Sequence, residues 1–266
     1  MGAEPTKRIV ALGGHEFARR PHELAIVRHL LALTGADSPR VCLIPTAGGD
    51  DRSGITDFYL ALDGADYRPS HVSLFRRERE RVDLRRHLLD QDLIYVAGGS
   101  MLNLMAVWQA HGLPQILAEA WERGVLLAGQ SAGAMCWFGY GITASLGDPT
   151  PAGGLGLLPG SLCVHYGRDH ARRSAYLRAV SSGFPAGYAV DDGAGMLFEG
   201  QAPVEAFAAR RDARVLRVEA NGRGAAREMP MTPEPLPVPL PEPDDLAISE
   251  LRELRRSRAG AALPAR

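Results

Sequence analysis

Five short apolar runs between Arg8 and Gly129, most of them closing on glycine, alternate with amphipathic segments and restrict the folds open to this chain. RIVALGG (Arg8 to Gly14), RVCLIPTAGG (Arg40 to Gly49), HVSLF (His71 to Phe75), DLIYVAGG (Asp92 to Gly99) and GVLLAG (Gly124 to Gly129) read as buried strands. Between them, PHELAIVRHLLALTG, SGITDFYLALDG, VDLRRHLLDQ, MLNLMAVWQAHG and LPQILAEAWERG place apolar residues three and four apart, as Leu24, Val27, Leu30 and Leu31 show. These read as helices. Parallel strands need crossover connections, so the alternation predicts an α/β fold: a mainly parallel sheet covered by helices on both faces. In such sheets ligands lie at the carboxyl ends of the strands. Gly13-Gly14, Gly98-Gly99 and Gly129-x-Ser131 then share one rim.

Beyond Ser145 the texture changes. GLGLLPGSLCVHYG is followed by an amphipathic HARRSAYLRAVSS and three strand-like runs, GYAVDD, AGMLFEG and ARVLRVEA, the last two expected to pair antiparallel. From Asn221 onward proline dominates, so residues 1–220 read as a single α/β domain and 221–266 as a flexible or polyproline tail. Within that tail, DDLAISELRELRRSRAG has the make-up of one short helix.

Thirty Lys and Arg against 31 Asp and Glu leave a formal charge of −1, which supplies no field for nucleic acid or an anionic membrane. The expected partner is a small molecule or peptide, with a homodimer left open. No stretch approaches the roughly 18 apolar residues of a membrane span, and the N-terminus lacks a signal-type apolar region. Cys42, Cys136 and Cys163 each sit in apolar sequence and read as reduced core thiols, which points to the cytoplasm.

GVLLAGQSAGAMCWFGYG, Gly124 to Gly141, is where chemistry enters. Gly129-x-Ser131-x-Gly133 between an apolar strand and helix-forming residues has the spacing of a nucleophile elbow, in which a serine is exposed on a sharp strand-to-helix turn. A plain tight turn would use the same residues. The elbow reading needs a base, because a serine hydroxyl is a poor nucleophile at its free pKa. His15, His22, His29, His71, His87 and His111 precede the elbow and read as solvated helix-face or loop residues. His165 ends an apolar run and follows the serine in chain order, which makes it the candidate base ahead of His170. A third group must orient the imidazole. Asp148 lies between serine and histidine, and Asp191-Asp192 follows the histidine at a strand end; both also read as turn residues. For the oxyanion, the N–H groups of Ala132 and Gly99 are the candidate donors.

GQSAGAMCWF, with YVAGGSMLNLM upstream and LGLLPGSLCVHY and GYAVDDGAGMLFEG downstream, resembles the peptidase E family of serine peptidases, the aspartyl dipeptidases, whose relatives include cyanophycinase. The likeness runs from about Lys7 to Glu219. It implies a flavodoxin-like, class I glutamine-amidotransferase-like three-layer α/β/α fold and an enzyme without metal or other cofactor. It also implies Ser131 as nucleophile, His165 as base, and Gly99 and Ala132 as oxyanion donors. Two departures stand out. Ser100 replaces a family asparagine that helps hold substrate, and Ala144 stands where many relatives carry the triad aspartate. On chain order Asp148 is chosen as the acid, with Asp192, or a neutral group such as Ser145, as the alternatives.

The resemblance further implies cleavage of Asp-Xaa dipeptides, which needs a cation for the substrate carboxylate. HYGRDHARRSAY supplies Arg168, Arg172 and Arg173; placement favours Arg172, then Arg173, alongside Ser100 and Asp192 as substrate-site residues. The alternatives are a cyanophycinase-like β-aspartyl peptidase and a binding protein of the same fold that has lost its triad acid.

Overall fold

Strand β1 (Arg8–Leu12) is buried on both sides: Ile9 and Ala11 join one core cluster, Val10 and Leu12 another. That period of two, in a run with no polar face, is what a central strand of a covered sheet requires. The computed structural model describes residues 5–18, 20–63, 66–76 and 83–239. In it β1, β2 (Arg40–Ile44), β3 (Arg68–His71), β4 (Leu93–Val96) and β5 (Leu126–Gln130) run parallel in the order β1-β5-β4-β2-β3. The apolar stripe of α1 (Pro21–Thr34), with Ile26, Val27, Leu30 and Leu31, covers one face together with Phe58 of α2 (Arg52–Ala61). On the other face pack α3 (Leu84–Leu89), α4 (Met101–His111) and α5 (Leu113–Glu122).

Past β5 come the short α6 (Ala132–Met135), β6 (Phe138–Thr143), β7 (Thr150–Gly153), β8 (Leu158–Val164), α7 (His170–Ser181) and β9 (Gly187–Val190). The remaining strands are β10 (Ala194–Glu199), β11 (Ala202–Ala208), β12 (Val215–Ala220), β13 (Ala226–Met231) and β14 (Glu234–Pro235). Antiparallel β10 and β11 extend the first sheet beside β1, and β14 closes that edge. A second sheet, β13-β12-β9-β8-β6-β7, shares a core with the α4/α5 face and is covered outside by Tyr176 and Val180 of α7. The chain is thus an α/β fold of mixed sheets with flanking helices, the three-layer α/β/α class.

Several expectations shift in register. The third strand is Arg68–His71, ahead of HVSLF, because this sheet edge needs only one buried flank. AGMLFEG and ARVLRVEA do not pair: β10 lies in the first sheet against β11, and β12 lies in the second between β9 and β13. The proline-rich tail begins later than Asn221. Residues 226–231 form an edge strand on β12, where Pro230 is tolerated, and Glu234–Pro235 pairs with β11. The helix expected in DDLAISELRELRRSRAG lies outside the described residues.

Candidate active site

Where β5 turns into α6, Ser131 has φ 52° and ψ −116°, outside the regions open to most L-residues. Such a conformation costs of order 1–3 kcal/mol and persists only where the surroundings impose it. The imposing groups here are backbone. A methyl group on Gly129 would overlap the Gly133 carbonyl oxygen, and one on Gly133 would overlap that of Val96 at the end of β4. Glycine at both positions lets strand, turn and helix close on one another, with the Ser131 side chain at the sheet rim.

His165 follows β8 and also has a positive φ, 55°. Its carbonyl accepts the N–H groups of Arg168 (3.1 Å) and Asp169 (2.8 Å), which fixes the turn into α7. So held, its Nε2 lies 2.9 Å from Ser131 Oγ, and its Nδ1 is hydrogen-bonded to Asp192 Oδ1. A carboxylate at Nδ1 keeps the proton on that nitrogen and leaves Nε2 free to accept the serine proton. The neighbouring Asp191 is occupied elsewhere, accepting from Arg214 N at 3.0 Å and Nε at 2.9 Å. Burial pushes the Asp192 carboxyl up, but the His165 hydrogen bond and charge, with the charges of Arg168 and Arg210, outweigh it and hold the group below its usual range.

This arrangement brings Asp192, the alternative acid, to His165 and leaves the chosen Asp148 away from it. Asp148 is exposed in the β6–β7 loop and does not line the cavity around Ser131. Chain order favoured it, whereas the contact with His165 comes from the neighbouring strand: β8 and β9 pair in parallel with Val164 opposite Val190, so Asp192 ends beside His165, where Gly14 bridges to it and Gly193 N donates to Gly14 O at 2.9 Å.

The cavity beside Ser131 measures about 320 Å³ and is strongly charged, with Arg20, His22, Glu23, Arg168 and Arg210 in its wall. Arg20 is ion-paired with Glu16, and Arg168 Nη1 lies 3.1 Å from Asp192 Oδ2. Burial first, then the charges of Arg20 and Arg210, lower the His22 pKa, and burial raises that of Glu23. His15 is fully buried behind this wall, with Nδ1 3.0 Å from Tyr95 Oη, and burial drives its pKa down to about 4. It is therefore no solvated loop histidine. Its backbone N–H donates to Gln130 Oε1 at 2.7 Å, fastening the loop after β1 to the residue before Ser131.

Of the other expected site residues, Gly99 lines the cavity; its N–H, like that of Ala132 at the start of α6, donates to no described backbone carbonyl. Ser100, Arg172 and Arg173 are engaged elsewhere. The Ser100 hydroxyl caps α4, accepting Asn103 N at 3.2 Å. Arg172 pairs with Asp169 at 3.2 Å, and Arg173 forks onto Glu228 of β13 at 3.1 and 2.8 Å over the Tyr166 ring. None of the three lines the cavity: Ser100 is turned to the first turn of α4, and α7 turns the two arginines toward its own cap and toward the second sheet. Of the cations that do line it, Arg168 lies in the turn between β8 and α7, while Arg20 and Arg210 follow other strands, β1 and β11. The signal for Arg20 was present: Gly13-Gly14 already placed the loop after β1 on the same rim.

Residues 9–204 match the model of peptidase family S51. The chain belongs to peptidase family S51. It is a serine-type peptidase by that membership. It is 41% identical over 213 residues to a Bacillus subtilis (strain 168) protein named uncharacterized peptidase YgaJ, covering 80% of this chain and 92% of that one. Its fold is similar to the crystal structure of a peptidase from an acI-B1 Actinobacterium, with a TM-score of 0.67 at 19% identity, over 88% of this chain and 98% of the other. Among the described residues no helix is long and apolar enough to cross a membrane, and no group of three or more His, Cys, Asp or Glu side chains is placed to hold a metal ion.

Proposed function

We propose that this S51 peptidase hydrolyses short peptides, foremost dipeptides with an N-terminal Asp, with Ser131 as a nucleophile on an elbow. The observation that carries the reading is the unbroken series Ser131 Oγ, His165 Nε2, His165 Nδ1, Asp192 Oδ1. In the first half-reaction Oγ attacks the scissile carbonyl carbon as its proton passes to Nε2. Asp192 stabilises the imidazolium that forms. Charge collecting on the carbonyl oxygen is met by the N–H groups of Gly99 and Ala132, fixed in place before reaction. The C–N bond then breaks, Nε2 hands the proton to the departing amine, and water cleaves the acyl-enzyme by the same steps in reverse. With Asp192 on the imidazole, the loss of a carboxylate at Ala144 gives no reason to read the chain as a binding protein.

An acidic substrate is supported by the three arginines in the cavity wall, since a guanidinium fork holds a carboxylate by two parallel hydrogen bonds. The buried thiols Cys42, Cys136 and Cys163 favour a reducing compartment, the cytoplasm. The test is kcat/KM for Asp-Leu, Asn-Leu, Ala-Leu and a β-Asp-Arg isopeptide. Asp-Leu should exceed Asn-Leu by about tenfold or more, the worth of one charge-assisted contact. Equal rates for Asp-Leu and Ala-Leu would refute the acidic preference, and turnover of the isopeptide alone would make the enzyme a β-aspartyl peptidase.

A further inference from the structure

We infer that Arg168 is a specificity-determining residue that binds the free α-carboxylate of the leaving residue and so confines this peptidase to substrates ending one residue past the scissile bond. The inference rests on the reading of Ser131 and His165 given above. Its geometry starts at Nε2 of His165. The atom that takes the serine proton must later protonate the departing nitrogen, so that nitrogen sits next to Nε2 and the leaving residue extends over the His165 side of the cavity.

Bond lengths fix how far the next charge lies. From an amino nitrogen through Cα to its own carboxylate oxygens is roughly 3–3.5 Å through space. Of the arginines in the cavity wall, Arg168 lies against the imidazole, three residues on in the turn before α7, with Nη2 3.5 Å from Nδ1, on the ring edge away from the leaving nitrogen, so the carboxylate folds back over the ring to meet it. Nδ1 already gives its proton to Asp192, so the approach is a juxtaposition of donors and leaves the Nη2 protons unused. Nη1 touches Asp192 Oδ2 at 3.1 Å, which aims the guanidinium, while 74% of the side chain stays exposed. Arg172 and Arg173 are tied to Asp169 and Glu228, Arg20 to Glu16 and Arg210 to Asp212, and of the cavity-wall arginines Arg168 is the one beside the base. A longer peptide, or a C-terminal amide, offers a neutral oxygen at this point and forfeits the ion pair.

The experiment compares Asp-Leu with Asp-Leu amide on the full chain, for wild type, Arg168→Ala and Arg168→Lys. Wild type should favour the free acid in kcat/KM by about 10- to 100-fold, as a charge-assisted bidentate contact would give. Arg168→Ala should erase that preference, chiefly by raising KM for the acid, and Arg168→Lys should restore part of it. If Arg168→Ala lowered acid and amide in equal proportion, Arg168 would be only a countercharge for Asp192 and the inference would fail. A wild-type enzyme indifferent to amidation would overturn the role of Arg168 while leaving Ser131 chemistry standing, and no turnover of either compound would overturn both.

Discussion

A methyl group on Gly14 would overlap Oδ1 of Asp192 and stand 2.9 Å from Cε1 of His165. The end of β1 is therefore shaped around the His–Asp pair, although it supplies no side chain to it. Gly14→Ala should displace the carboxylate, since the overlap is with a side-chain atom, and leave the backbone intact. We expect kcat to fall by about 10²-fold, the size of effect an ångström-scale misplacement produces, with little change in Tm. Gly13→Ala offers the contrast, because there the methyl group would overlap the backbone oxygen of Asp191. That variant should lose stability. Steady-state kinetics and thermal melts of the two separate site geometry from folding.

Asp192→Asn should cost about 10⁴ in kcat, since an amide can hold the imidazole in the wrong tautomer, while the fold persists. Asp148→Asn should be close to neutral. Loss of turnover in the Asp148 variant with a fully active Asp192 variant would return the acid to the β6–β7 loop.

These two aspartates show what could be read from sequence. The parallel strands and the Gly129–Gly133 turn were legible because each rests on local rules: apolar runs, crossover helices, and small residues where backbones meet. Which aspartate faces His165 was not legible, because Asp192 meets it through the parallel pairing of β8 with β9, Val164 opposite Val190, and is held there by the Gly14–Asp192 bridge from the end of β1. Chain order carries no such information. Arg173 was misjudged for a related reason: its partner Glu228 lies on β13, in a stretch whose prolines masked an edge strand. Ser100 was read as a substrate ligand, yet a serine just ahead of an apolar helix is first of all an N-cap.

Stability should also report the polar wall behind the site. His15 has a folded pKa of about 4 against 6.5 unfolded, so between these values the unfolded chain binds the proton first. Its contribution is complete above pH 6.5 and declines as the pH falls toward 4, by up to about 3 kcal/mol. Glu23, whose pKa burial raises, works in the opposite sense and makes the net decline shallower. Urea unfolding at pH 7, 5.5 and 4.5 should show wild type losing stability across this window and His15→Gln losing less. Parallel curves for the two proteins would contradict the neutral, buried state of His15.

The claim on which the rest depends is that Ser131 becomes covalently acylated, and mapping the adduct left by a fluorophosphonate probe tests it most directly. Peptide mass spectrometry should find one modification, on Ser131, whose extent tracks the loss of Asp-Leu hydrolysis and which Asp192→Asn slows. Inactivation that leaves Ser131 unmodified, or hydrolysis that continues with Ser131 fully blocked, would contradict the account.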